Sequence, residues 1–299
     1  MAAAAALVLN NFRLNAATEQ EREAKSNSEQ SIELKSKKHK KSKKARQPKT
    51  VDYNTAKKAG TLPASETRPA KGGAEADAML MQKGAKGILL KRYAYTSMYD
   101  KDMRLPLWVA WRLTGSHTSG PYKRGGINFA EDEEVPAPRA TNLDYVNSGY
   151  DRGHMCPSGD NKWNQTAQLQ SFLYTNCCPQ LHSLNAGDWE ELESKCREWA
   201  KKYGEIYIVC GPVFMNKRHK TIGKNKVVVP EAFYKVVLCM KGTPKAIGFI
   251  YRNENSNKSM TSYVNTVDQV ERITGLDFFP ALDDKIERKV EAQADLREW

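Results

Sequence analysis

The chain has 299 residues, 40% of them hydrophobic, so it can bury a sizeable core in one large domain or two small ones. No apolar stretch approaches the length needed to span a membrane. The net charge of +12 lies mostly in the first 76 residues, which hold 16 of the 47 lysines and arginines against 8 of the 35 acids. The charge alone is therefore weak evidence that the folded part binds polyanions.

Residues 1–76 are predicted to be a disordered, lysine-rich tail and linker, and residues 77–299 the folded domain. Residues 35–49, "KSKKHKKSKKARQPK", contain nine cations and no acid, and such a run repels itself. A solvated linker is one interpretation of it, and nuclear import or tethering to nucleic acid are the others. The opening "MAAAAALVLNNF" is apolar but short, which makes it a weak secretion signal.

The folded part is predicted to be α+β, with a mainly antiparallel sheet and one long helix. Short runs rich in β-branched and aromatic residues predict strands at 89–96, 107–114, 205–211, 226–230, 233–240 and 245–251. Apolar residues recur at three- and four-residue steps in 186–203, "AGDWEELESKCREWAKKY", which predicts the long helix. A shorter helix is predicted over about 265–274. Strands flanking a single long helix favour α+β over a doubly wound parallel sheet.

A polar strip runs along the long helix beside its apolar stripe. Asn185, Glu193 and Arg197 lie at multiples of four residues, so they follow one another along one side of the helix. An amide oxygen, a carboxylate and a guanidinium in this order are suited to a hard cation and a phosphate. The alternative is an ordinary N-cap at Asn185 followed by an i,i+4 ion pair.

Three motifs accompany this strip: "DRGHM" at 151–155, "TNCCPQ" at 175–180 and "LNAGDWEELESKCR" at 184–197. In this order and at these separations they resemble the DNA/RNA non-specific endonucleases, the ββα-metal group that includes mitochondrial endonuclease G and the bacterial sugar-nonspecific nucleases. Other segments extend the resemblance over about residues 85–282. It implies a ββα-metal nuclease fold and a catalytic phosphate site.

The resemblance also implies roles for the polar residues. The histidine of the first motif, His154, corresponds to the general base, and imidazole has a suitable pKa for taking a proton from water. Asn185 corresponds to the one direct protein ligand of Mg²⁺, an ion that keeps several waters. Glu193 corresponds to the acid that holds those waters.

Four further residues are assigned by the same resemblance. Arg152 and Arg197 correspond to arginines that face the phosphate, where they offset charge that develops during the reaction. Arg124, ahead of the first motif, corresponds to a substrate-contacting arginine. Asn176 corresponds to an asparagine that shapes the substrate-binding site, with scaffolding rather than contact as the expected role.

Two features depart from the family pattern. Two cysteines, Cys177 and Cys178, follow Asn176 where a methionine and a small residue are more usual, and Cys156 could lie close enough to Cys177 to oxidise. His182 is a second imidazole near the motifs with no role in the family, and it is interpreted as a loop residue.

The sequence also allows three other functions. A zinc site could draw on the histidines and cysteines near the motifs, but the sequence has no C-x-x-C or H-x-x-x-H pair and adjacent thiols do not easily reach one tetrahedral ion. A catalytically inactive nucleic-acid-binding protein on the same fold would gain affinity from its lysine run. Such an inactive protein is expected to lack the residue at the position of His154 or Asn185, but this sequence has both. A cysteine hydrolase is disfavoured because no cysteine has a recognisable nucleophile context.

The sequence therefore predicts a magnesium-dependent endonuclease, with Mn²⁺ as a substitute, that cuts DNA and RNA with little sequence preference and leaves 5′-phosphates. No membrane partner is expected, and a homodimer is left open. The apolar start and the similarity of the "DRGHM" motif to bacterial members of the family favour a secreted or periplasmic protein. The lysine run favours a mitochondrial or nuclear one.

Overall fold

The computed structural model describes residues 50–67, 73–256 and 258–299. The apolar start and the lysine run lie outside the described residues. Within them, no helix is long and apolar enough to cross a membrane.

Eleven strands are present in this part of the chain. Seven of them form an antiparallel sheet in the order β1-β2-β3-β6-β9-β10-β11, and β4–β5 and β7–β8 form two small hairpin-like pairs. The strands are β1 (Ile88–Lys91), β2 (Thr96–Asp100), β3 (Leu105–Thr114), β4 (Asp151–His154), β5 (Cys177–Gln180), β6 (Glu205–Val213), β7 (Thr221–Ile222), β8 (Val227–Val228), β9 (Ala232–Cys239), β10 (Lys245–Arg252) and β11 (Val264–Asn265).

The described ranges also contain seven α-helices, which lie on both faces of the sheet. They are α1 (Tyr53–Lys58), α2 (Ala74–Met79), α3 (Asn142–Tyr145), α4 (Gln165–Ser171), α5 (Trp189–Tyr203), α6 (Val267–Thr274) and α7 (Asp284–Glu291). Side chains alternate across a strand, so β9 supplies Phe233 and Val237 to one core and Tyr234 and Val236 to the other. Helix α5 packs on the first face, and α6 and α7 on the second.

The motif residues form a small ββα unit on the α5 face. Strand β4 carries "DRGH" and pairs antiparallel with β5, which places Arg152 opposite Pro179 and His154 opposite Cys177. Helix α5 follows nine residues after β5. The two strands were not assigned from the sequence because each has only four residues, too few to show a period.

Two predicted elements differ in detail from the structure. The run 89–96 is not one strand: β1 ends at Lys91 and the chain reverses, with Arg92 N–H donating to the Tyr95 carbonyl at 2.8 Å, before β2 begins. The long helix begins at Trp189 rather than at 186. Residues Leu184–Asp188 form a wider π-type turn in which Gly187 has a non-helical conformation.

Part of the predicted tail packs on the domain. Helix α1 buries Tyr53 and Ala56 against Leu169 and Leu173, and Val51 forms a β-bridge with Ile127. The expectation that order begins near residue 77 is therefore corrected for residues 50–67. A short helix of six residues with two buried side chains carries too weak a period to be recognised in a polar, lysine-rich context.

Candidate active site

A cleft of about 720 Å³ lies beside the ββα unit. Six of the seven residues predicted from the sequence line it, although they come from separate segments of the chain. These six are Arg124, Arg152, His154, Asn185, Glu193 and Arg197. The seventh, Asn176, lies beneath the cleft.

His154 ends β4 with its ring packed against two phenylalanines. The ring centroid lies 5.0 Å from that of Phe129 and 4.9 Å from that of Phe172, and Nε2 is buried without a hydrogen-bond partner among the described residues. Burial and the nearby positive charge of Arg124 lower the pKa of His154 to about 3. The imidazole is therefore unprotonated at neutral pH and able to accept a proton.

Asp151 joins two of the motifs across the ββα unit. Its Oδ2 accepts a hydrogen bond from the Asn185 Nδ2 amide at 2.9 Å, and it lies 2.8 Å from Nδ1 of His182. The alternative interpretation of Asn185 as the N-cap of the long helix is wrong, because α5 begins at Trp189 and the residue that precedes it is Asp188. The bond directs the NH₂ group of Asn185 toward Asp151 and leaves the carbonyl oxygen as the atom for other ligands.

Glu193 and Arg197 are on the second and third turns of α5 and face the cleft. Only 12% of the Glu193 side chain is exposed, and burial raises its pKa to about 7. Arg197 Nη1 lies 3.9 Å from Glu193 Oε2 but 3.3 Å from Asp160 Oδ1, and its Nη2 donates to Ser194 Oγ at 2.8 Å. The closest carboxylate to Arg197 is thus Asp160, a buried acid, and not the i,i+4 neighbour expected from the sequence.

A buried lysine lies behind this carboxylate pair. Lys235 on β9 has 0% exposure, its Nζ has no hydrogen-bond partner among the described residues, and it lies 4.3 Å from the ring centre of Trp189. Its positive charge lowers the pKa of Glu193 and that of Asp160 against the raising effect of burial. Lys235 was not predicted from the sequence, where its one signal is a single cation in the otherwise apolar run "FYKVVLCM".

Arg152 and Arg124 each lie against one of the two phenylalanines that contact His154. The Arg152 guanidinium lies 5.8 Å from the centre of the Phe129 ring, and its Nε and Nη2 donate to Tyr174 Oη at 3.2 Å and Asn142 Oδ1 at 2.5 Å. Arg124 is exposed, 5.9 Å from the centre of the Phe172 ring. Arg152 is thus held in place, whereas Arg124 is free to follow a ligand.

Asn176 does not contact the cleft. It is fully buried, its Oδ1 accepts from the Cys156 N–H at 3.0 Å, and its Nδ2 donates to the carbonyls of Cys156 and Ser171, both at 2.8 Å. Its inclusion among the substrate-binding residues is corrected. Asn176 fixes the backbone that follows His154, which is the scaffolding role expected for it.

The cysteines do not form a metal site. All six are buried and unpaired, so Cys156 and Cys177 are not linked. Among the described residues, the one group of three or more acidic, imidazole or thiol ligands that converge is made of carboxylates alone. A zinc site is therefore not supported.

The donor set of the cleft fits a hard cation. The Asn185 carbonyl, the Glu193 carboxylate and Asp151 offer only oxygen, and carbonyl, carboxylate and water oxygens suit Mg²⁺ and Mn²⁺. One direct amide ligand with a nearby carboxylate suits Mg²⁺ in particular, because this ion retains waters that the carboxylate can hold.

Three comparisons agree with this geometry. A profile of the DNA/RNA non-specific endonuclease family matches residues 74–285. Over 201 residues the chain is 36% identical to the mitochondrial nuclease EXOG of Xenopus laevis. This alignment covers 62% of this chain and 56% of that protein. Over 238 residues it is 32% identical to the mitochondrial endonuclease G of Bos taurus, which covers 74% and 79%.

The fold comparison is consistent with these matches. A chain in the crystal structure of the EndoG/EndoGI complex superposes with a TM-score of 0.67 and 27% identity, covering 72% of this chain and 95% of that one. The predicted α+β class, in its ββα-metal form, is confirmed. The chain spans little more than half the length of the EXOG relative.

Proposed function

Because the chain belongs to the DNA/RNA non-specific endonuclease family, we propose that it hydrolyses phosphodiester bonds of DNA and RNA in a Mg²⁺-dependent reaction. The observation that carries the proposal is the convergence of His154, Asn185 and Glu193 with three arginines in one cleft. These groups could accept a proton, hold a cation and bind a phosphate.

His154 is the proposed general base. It accepts a proton from a water molecule whose oxygen attacks phosphorus in line, while the bond from phosphorus to the 3′-oxygen breaks and that oxygen is protonated by solvent. The products then carry 5′-phosphates and 3′-hydroxyls. A bound phosphate adds negative charge beside Arg124 and His154, which raises the pKa of His154 toward the range of an effective base.

Asn185 would hold Mg²⁺ directly, and Glu193 would hold its waters. The chemistry that the ion supplies when bound is Lewis-acid stabilisation of charge on the phosphate and the departing 3′-oxygen. Asp151 positions Asn185 through the 2.9 Å bond. Mn²⁺ should substitute, because it also binds amide, carboxylate and water oxygens.

The arginines would bind the phosphate group. Arg152 is held by Asn142 and Tyr174, and Arg197 by Asp160 and Ser194, so their free N–H groups are preorganised toward the cleft. Contacts to phosphate carry no direct sequence information, which supports cleavage with little sequence preference.

A catalytically inactive nucleic-acid-binding protein is the alternative. The presence of His154, Asn185 and Glu193 in one cleft argues against it, because binding alone requires neither a base nor a cation ligand.

Incubation with supercoiled plasmid and with structured RNA tests the proposal. Cleavage should require Mg²⁺ or Mn²⁺ and stop in chelator, and mass spectrometry of the fragments should show 5′-phosphates. Retention of both polymers in a gel-shift assay without cleavage at any divalent ion would support the inactive binding protein instead. Products with 3′-phosphates would overturn the in-line step proposed here.

The relatives in Xenopus and Bos are named as mitochondrial proteins, which supports mitochondria over export as the compartment of this chain. Fractionation of native cells with an antibody to the domain tests this. Enrichment in the medium or periplasm would restore the export hypothesis.

A further inference from the structure

Three carboxylates converge on the face of the sheet opposite to the cleft. Asp268 and Glu271 are one turn apart on α6, and Glu291 ends α7. One carboxylate oxygen from each of the three lies within 4.8 Å of the others. The cluster joins two helices that both pack on β10.

Glu291 is the unusual member of the cluster. The residue is 8% exposed, and its Oε1 is buried with no hydrogen-bond partner among the described residues. A buried carboxylate oxygen without a hydrogen-bond partner is unfavourable in free energy, because it loses its hydrogen bonds to water and gains none within the protein.

The surroundings increase this cost. Asp268, Glu271 and Glu287 all raise the pKa of Glu291 by repulsion, together with burial. No lysine or arginine within the described ranges forms a salt bridge with any of the four acids. Among the described residues, the three carboxylates accept one hydrogen bond, from the Phe278 N–H to Glu271 Oε1 at 2.9 Å.

The cluster is separate from the candidate active site. Val267, Val270 and Val290 anchor α6 and α7 in the core on one face of the sheet, whereas Trp189 and Leu192 anchor α5 in the core on the other face. An ion at the cluster therefore cannot share ligands with one held by Asn185.

We propose that Asp268, Glu271 and Glu291 form a structural site for a hard divalent cation, with Ca²⁺ as the best match, that ties α6 to α7. All three ligands are oxygens, the type that Ca²⁺ and Mg²⁺ bind. Opposite ligands of Ca²⁺ are about 4.6–5.2 Å apart and those of Mg²⁺ about 4.0–4.2 Å. The three carboxylate oxygens lie within 4.8 Å of one another, a separation that fits within a Ca²⁺ coordination shell. Ca²⁺ also tolerates irregular geometry and bidentate carboxylates.

The competing account is a proton shared among the carboxylates. It would relieve the repulsion without any ion, and neutralising one acid would then stabilise the protein whether or not Ca²⁺ is present. The two accounts differ in whether Ca²⁺ itself binds.

Calorimetric titration with Ca²⁺ at pH 7.5 tests the site, on the full chain carrying Asn185→Ala so that the proposed active-site ion is not measured. We expect saturable binding of one Ca²⁺ per chain and a rise in Tm of about 3 °C or more at about 5 mM Ca²⁺. Adding Asp268→Asn and Glu291→Gln should abolish both effects. These changes remove repulsion, so the variant should fold, and with Asn185 intact it should retain nuclease activity.

Glu287→Gln is the matched control, because Glu287 adds negative charge but lies outside the group of three. It should keep the single Ca²⁺ and weaken its binding by no more than a few fold. Absence of saturable binding up to about 5 mM Ca²⁺ would overturn the proposal. The proposal would also be overturned if Ca²⁺ raised the Tm of the variant with Asp268→Asn and Glu291→Gln as much as it raises that of the chain without these two changes.

Discussion

His154 combines a polar function with an apolar environment. The rings of Phe129 and Phe172 fix its orientation, and the same burial keeps it uncharged. An imidazole with a pKa of about 3 is a poor base in the free protein. In the proposed reaction, the substrate phosphate would therefore have to raise that pKa before His154 could act as the base.

Replacing His154 with Ala should lower kcat/KM on supercoiled plasmid by about a hundredfold or more, because the cleft offers no other imidazole. Initial rates in saturating Mg²⁺ measure this, with circular dichroism to verify the fold. His182→Ala is the control. Its side chain is 82% exposed and contacts Asp151 only from outside the cleft, so we expect a change of less than about fivefold. Activity of His154→Ala within tenfold of the parent chain would contradict its role as base.

Lys235 should tune Glu193 rather than contact substrate. Glu193 has a pKa of about 7, so its ionised form is lost as the pH falls below neutrality. The ionised form is the one that would hold the waters of the metal ion. The Lys235 charge favours the ionised form. Removing that charge therefore raises the pKa of Glu193, and the ionised fraction is lost at a higher pH.

Lys235→Met should shift the acid limb of the kcat profile to higher pH, with the greatest loss of rate, about tenfold, near pH 6. Rates between pH 5.5 and 9 at fixed Mg²⁺ measure the shift. Lys195→Met is the matched control, since Lys195 is an exposed lysine on α5 paired with Glu198. A uniform loss of rate in Lys235→Met, without movement of the limb, would indicate a purely structural role.

The residues that the sequence could predict are those inside short motifs. His154, Asn185 and Glu193 were assigned through ordered motifs that resemble a known family. Asp160 and Lys235 were missed because each lies far along the chain from the α5 residue that it influences. Asp160 is 37 residues from Arg197, and Lys235 is 42 residues from Glu193. A partner brought near by the tertiary fold leaves no spacing rule in the sequence.

At the scale of elements, long periodic segments were predictable and short ones were not. Helix α5 and strands β3, β6, β9 and β10 each carry enough residues to display a period. The start of α5 was misplaced because Leu184–Asp188 form a π-type turn in which Gly187 has a non-helical conformation.

Helix α1 should contribute to stability and to the shape of the cleft. Its Tyr53 hydroxyl accepts from Gln170 Nε2 at 3.2 Å, and its neighbour Leu62 packs beside Leu173, next to the Phe172 that contacts His154. A chain that begins at Thr50 should keep the kcat and Tm of the full chain. One that begins at Gly73 should lose about 3 kcal/mol of stability, or roughly 10 °C in Tm. Differential scanning calorimetry measures the difference, and equal Tm values would show that α1 packs without stabilising.

At the scale of the whole molecule, the seven-stranded sheet separates two kinds of site. The α5 face carries a cleft lined by arginines, with the proposed base and amide ligand, and the α6–α7 face carries the carboxylate cluster. Polyanions should therefore bind at the cleft and not at the carboxylate cluster. The net charge of +12 does not reveal this division, because it does not show where on the surface the charged residues lie.

The lysine run at 35–49 should act on substrate binding and leave the chemical step unchanged, because every proposed active-site residue lies from 124 onward. If it tethers nucleic acid, a chain that begins at Thr50 should have a higher KM for a short duplex at 50 mM salt and an unchanged kcat. The difference should fade by about 200 mM salt, since each lysine–phosphate contact adds counterion release to the binding equilibrium. Steady-state kinetics of the two chains over this salt range measure it. Equal KM values at low salt would leave the run as a linker or targeting segment, and a salt-independent fall in kcat would show that residues before Thr50 help to form the active site.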